Sequence, residues 1–136
     1  PMNDKVFVDT NLLVYSISTD SVKSNKVSDL FLQPYEFIIS TQVINEFANT
    51  CFKKNLLSNS AIRSAIEDFL LFFTVVGIDE AIILTALDLK ERYGYSYYDS
   101  LILSAALENG CTQLFSEDMQ HGQDIESHLT IQNPLL

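Results

Sequence analysis

The chain has 136 residues, 47% of them hydrophobic, which is enough to bury a core without staples and excludes a disordered chain. Eighteen acids against eight Lys and Arg give a net charge of −10, which excludes gripping nucleic acid through a general basic surface. Cys51 and Cys111 exclude a disulfide framework and read as reduced thiols of a cytoplasmic protein, and no apolar stretch reaches membrane-spanning length. The charge is uneven: after Arg92 six acids follow and no Lys or Arg.

In chain order, Lys5-Val6-Phe7-Val8-Asp9 reads as a short β-branched strand ending at an acid. A helix is expected over 10–17, anchored by Leu12, Leu13 and Tyr15, and another over 21–32 on Val22, Val27, Leu30 and Phe31. Phe37 to Ser40 is a second strand, short and apolar. From Gln42 the period changes, with Val43, Phe47 and Cys51 on one helical face. Residues 58–73 form a further helix, with Ile62, Ala65, Ile66, Phe69 and Leu70 inward, and 74–78 a strand.

Asp79 suits an N-cap for the helix carrying Ile82, Ala86, Leu89 and Tyr93, and Gly94 suits its stop. The helix from Ser96 to Asn109 has little polar face and belongs at the centre. Gln113 to Ser116 is a strand, and Leu129-Thr130-Ile131 a last one. Strands alternating with helices imply one α/β domain over 1–136, a parallel sheet between helical layers. Ligands of such sheets bind beyond the carboxyl ends of the strands, where Asp9 and Asp118 fall.

Each acid also has a plain structural reading. Asp9 suits an N-cap. Glu46 suits a solvated helix face. Asp99 in Ser96-Tyr97-Tyr98-Asp99 suits a capping box, and Asp118 a helix first turn. These readings leave unexplained why four acids fall where they can converge on one edge.

Four segments resemble the motifs of PIN-domain nucleases, in order and spacing: Val8-Asp9-Thr10-Asn11-Leu12-Leu13-Val14-Tyr15, Val43-Ile44-Asn45-Glu46-Phe47, Tyr97-Tyr98-Asp99-Ser100-Leu101-Ile102 and Leu114-Phe115-Ser116-Glu117-Asp118-Met119. The short form is most similar to VapC-type toxins of toxin–antitoxin pairs. The resemblance implies a PIN-like α/β/α sandwich with about five parallel strands. It also implies an acidic pocket for one or two Mg²⁺ or Mn²⁺ ions, RNA cleavage, a cognate antitoxin and a homodimer. Asp9, Glu46, Asp99 and Asp118 match the family's catalytic, metal-binding acids. Thr10, Asn11 and Ser116 match its supporting positions, and Glu117 adjoins the fourth acid as an assistant or a substitute.

The chemistry agrees with that resemblance. Magnesium takes oxygen ligands from a few carboxylates and substrate phosphate. Four ionised carboxylates repel a phosphodiester unless divalent ions offset them. His121 and His128 read as surface residues, and no Cys–His nucleophile pattern appears. Two other readings stand beside this one. A haloacid-dehalogenase-type phosphohydrolase wants Asp at residue 11, where the chain has Asn11; a non-catalytic PIN-fold binding module wants a broken acid quartet.

Overall fold

The computed structural model describes residues 4–136, so the first three residues of the expected domain lie outside it. Twelve elements follow one another. These are β1 (Lys5–Val8), α1 (Thr10–Ser16), α2 (Ser21–Leu30), β2 (Glu36–Ser40), α3 (Thr41–Lys53), α4 (Asn59–Phe72), β3 (Thr74–Val76), α5 (Glu80–Tyr93), α6 (Tyr97–Glu108), β4 (Gln113–Phe115), β5 (Asp124–Ile125) and β6 (Leu129–Gln132).

They build one six-stranded sheet in the order β3-β2-β1-β4-β6-β5. All neighbours are parallel except β5 and β6. The expected parallel strands are therefore all present, and β5 is an addition. With two residues, β5 is too short to show an alternating pattern, and only its pairing with β6 defines it.

Val6, Phe7 and Val8 are fully buried, as befits a central strand covered on both faces. Steps from β1 to β2 to β3 run one way; the chain then crosses back to place β4 on the other side of β1. Right-handed crossovers put α1 to α4 on one face and α5 and α6 on the other. The helix contacts agree, with α1 on α2 and α3, α3 on α4, and α5 on α6. The strand order reverses between β1 and β4, and a crevice opens at such a point beyond the carboxyl ends. In register, Val8 pairs with Phe115, so Asp9 and Ser116 emerge side by side at that crevice.

Local signals explain the boundaries. Asp79 Oδ1 accepts from the Ile82 N–H at 2.9 Å and caps α5. Gly94, at φ 78°, ends it in a left-handed conformation that a side chain disfavours. The middle of α6 is buried on every side from Ser100 to Ala106, which makes it the central helix. Some expectations need correction. The second helix ends at Leu30, and within it only Val27 is fully buried. The 74–78 strand stops at Val76. Leu70 is 53% exposed rather than inward, because Ile62 and Phe69 define the packed stripe of α4.

Candidate active site

Asp9 leaves β1 and caps α1, its carboxylate accepting from the Thr10 N–H at 2.7 Å. The capping role and a place in the crevice coexist, since the second oxygen accepts from Ser116 Oγ at 2.7 Å. Burial pushes the Asp9 carboxyl up to about 7, and the charges of Asp99 and Glu46 add to the rise. The Ser116 and Thr10 hydrogen bonds pull it the other way.

Glu46 stands in the second turn of α3, where Gln42 Nε2 donates to it at 2.8 Å. Half-burial raises its pKa, and the charge of Asp99 raises it further. The Thr10 hydroxyl favours ionised Glu46, yet no hydrogen bond of ordinary length satisfies its buried Oγ1. Asp99 is the third residue of α6. Its backbone N–H donates to Ser96 Oγ at 3.1 Å, so the cap uses the main chain and leaves the carboxylate at the crevice. Burial raises that carboxyl most; the Ser96 hydroxyl pulls it down, and the charge of Asp118 raises it further.

Asp118 follows β4 in a bend; no helix begins there, so a first-turn role is ruled out. Asn11 Nδ2 donates to its carboxylate at 2.9 Å, and its own N–H donates to Ser116 Oγ at 3.2 Å. Ser116 is fully buried beneath the crevice and ties Asp9, beyond β1, to Asp118, beyond β4.

The four acids line one cleft of about 330 Å³ together with Thr10, Asn11, Tyr15, Thr50 and Lys54. Glu117, adjacent to Asp118, is turned away. It accepts from Tyr15 Oη at 2.7 Å and lies 3.9 Å from Lys23 Nζ, which sits over the Tyr15 ring. Lys54 is the one Lys or Arg lining the cleft among the described residues. Its signal was present in the sequence: Glu46, Thr50 and Lys54 are spaced by four on one helix face. The histidines lie elsewhere and are exposed, with His121 Nδ1 accepting from the Asn133 N–H.

Lys54 apart, the polar groups of the cleft are carboxylate, hydroxyl and amide, a set rich in the oxygen ligands that suit Mg²⁺ or Mn²⁺. Among the described residues no three His, Cys, Asp or Glu side chains form a preformed ligand cage. An open cleft of this kind fits an ion that keeps several waters and takes a few carboxylates plus substrate phosphate.

The sequence matches the PIN domain family over residues 6–123, and the chain belongs to that family. No curated protein sequence matches it. Among solved structures it is similar to VapC20 of Mycobacterium tuberculosis, a sarcin-ricin loop cleaving toxin. The TM-score is 0.70 at 18% identity, covering 83% of this chain and 91% of that one. A toxin–antitoxin complex from Klebsiella pneumoniae gives 0.70 at 20% identity, covering 95% and 97%. VapBC2 of Rickettsia felis, bound to a promoter DNA fragment, gives 0.67 at 21% identity, covering 94% and 97%. The fold is thus that of VapC-type proteins. No described helix is long and apolar enough to cross a membrane.

Proposed function

We propose that the protein is a metal-dependent ribonuclease and the toxin of a toxin–antitoxin pair. The observation that carries this reading is the convergence of Asp9, Glu46, Asp99 and Asp118 on one cleft at the strand-order reversal. The similarity to toxin structures supports the biological role, and the acid positions support the chemistry.

In this reading the four carboxylates hold one or two Mg²⁺ or Mn²⁺ ions. A bound ion would supply positive charge to offset the carboxylates, acidity to a water molecule and charge stabilisation at the leaving oxygen. Asp9 anchors the ion from the sheet edge, with Ser116 and the Thr10 N–H fixing its two oxygens. Asn11 orients Asp118 in the same way. Glu46 or Asp99 receives the proton of the attacking water; burial already raises the proton affinity of both. The intact quartet weighs against a binding module without activity. Asn11, donating to Asp118 where a phosphohydrolase needs a second aspartate, weighs against that alternative.

The partner is a small antitoxin that places an Arg or Lys at the acidic mouth; an Arg fork pairs with carboxylates in bidentate fashion. A homodimer and a cytoplasmic site of action complete the reading, in keeping with two buried free thiols. Cleavage of RNA with manganese, magnesium or EDTA, by native protein and Asp9→Asn side by side, tests it. Metal-dependent cleavage lost in Asp9→Asn is expected. Cleavage undiminished by EDTA, or retained by Asp9→Asn, would overturn it.

A further inference from the structure

A second pocket, about 380 Å³, adjoins the acid cleft. Glu46 lines both, so the two share one side chain as a common wall. Its wall on α3 is built from amides, Gln42, Asn45 and Asn49, with Ile78 and Tyr98 opposite. Gln42 Nε2 is committed, donating to Glu46 and to the Tyr98 carbonyl at 3.0 Å. Its Oε1 is buried with no donor. Asn45 and Asn49 are exposed and have no hydrogen-bond partner among the described residues. Tyr98 is 65% exposed, its ring edge-on to that of Tyr97.

This set has a specific chemistry. An amide presents a donor and an acceptor in one plane, matching the edge of a base. An exposed aromatic ring offers a stacking face to an unpaired base, and an apolar residue such as Ile78 covers its flank. Apart from Glu46 at the boundary the lining carries no charge, which suits a neutral base rather than a phosphate. A strand whose phosphate lies at the acids brings the adjoining base within reach of this wall.

We propose that this pocket, walled by Asn45, Asn49 and Tyr98, seats one unpaired nucleobase of the RNA beside the cut. It rests on the ribonuclease reading and adds to it a residue set that selects sequence. The amides discriminate between bases; the tyrosine provides affinity for any base.

The test separates the pocket from the activity by using neutral nucleosides, which need no metal. Adenosine, guanosine, cytidine and uridine are titrated into the native protein at millimolar concentration. Backbone amide signals of Gln42, Asn45, Asn49 and Tyr98, which persist in the alanine variants, are followed by NMR. Unequal shifts among the four are expected, lost in an Asn45→Ala/Asn49→Ala variant whose spectrum is otherwise native. No shift with any nucleoside, or equal shifts with all, would overturn the proposal. Shifts produced by a basic peptide and by no nucleoside would assign the pocket to a protein partner and overturn it as well.

Cleavage gives the second arm. On oligonucleotides varied at the base flanking the cut, native protein is expected to discriminate by roughly 5- to 150-fold, and the double variant by much less. Tyr98→Leu is expected to raise KM by a similar factor with kcat kept, and Tyr98→Phe to restore it. Absence of any RNA cleavage would remove the ribonuclease reading, while the nucleoside shifts would still decide the pocket.

Discussion

Ser116 Oγ donates to Asp9 Oδ2 at 2.7 Å while accepting from the Asp118 N–H at 3.2 Å, so one buried hydroxyl fixes two acids from two neighbouring strand ends. Ser116→Ala removes both bonds and leaves the Asp9 oxygen facing an apolar floor. A loss of roughly 1–3 kcal/mol in denaturant unfolding is expected. The hydrogen bond also lowers the Asp9 pKa, so its removal raises that pKa and shifts the alkaline-rising limb of cleavage to higher pH. A pH–rate profile that does not move would show that Ser116 is structural only.

Asp9 gives a pH dependence of defined sign. Its folded pKa, about 7, lies above the ordinary 3.8, so between those values the folded protein binds more protons than the unfolded chain. Without metal, stability therefore falls as pH rises from about 4 to 7 and levels above that. Full ionisation of this group opposes folding by on the order of 4 kcal/mol. Divalent metal reverses the trend, because it binds the ionised form and releases a proton. Asp9→Asn keeps a competent N-cap and loses the charge. It is expected to match native stability near pH 4, exceed it at pH 8 without metal, and gain little from manganese. Thermal melts across pH with EDTA and with manganese check this.

Ser96 Oγ caps α6 through the Asp99 N–H and also lowers the Asp99 carboxyl pKa, while the carboxylate itself lines the cleft. Asp99→Asn retains the backbone N–H that Ser96 caps, so without metal it is expected to be neutral or stabilising and to lose the stabilisation by metal. Ser96→Ala is expected to lose about 0.5–2 kcal/mol equally with and without metal. A metal-independent loss in Asp99→Asn would remove its carboxylate from the ion site.

Glu117 and Asp118 are neighbours with different duties. Glu117→Gln disturbs only the Tyr15 and Lys23 contacts and is expected to keep most cleavage. Asp118→Asn is expected to lose a hundredfold or more, on the order of an essential metal ligand. Equal losses in the two variants would assign Glu117 to the ion as well.

Lys54 is the one Lys or Arg that lines the acid cleft among the described residues. Lys54→Gln is expected to raise KM several-fold at unchanged kcat. The dependence of log affinity on log salt should fall by about 0.7, the value for one phosphate contact on a single strand. An unchanged salt slope would mean that Lys54 touches no phosphate.

Much of this protein is legible in its sequence, for reasons of local physics. The apolar run Val6-Phe7-Val8 ahead of Asp9 marks a central strand, because both faces of a parallel sheet are covered. Asp79 and Gly94 delimit α5 through backbone groups a few residues away. The four acids were visible by type and order, and all four lie within the stretch that matches the family, residues 6–123. Tertiary structure decided the rest. Two-residue β5 exists only through its pairing with β6, and Leu70 faces solvent because helix orientation, not hydrophobicity, sets which stripe packs. By residue type Glu117 and Asp118 are alike, and in the sequence only the resemblance to the family favours Asp118. They differ because a bend after β4 turns one toward Tyr15 and Lys23 and the other toward Asn11, a contact 107 residues away along the chain. The high proton affinity of Asp9 has the same origin. It arises from burial between strand ends and from the charges of Glu46 and Asp99, which only the folded chain brings near.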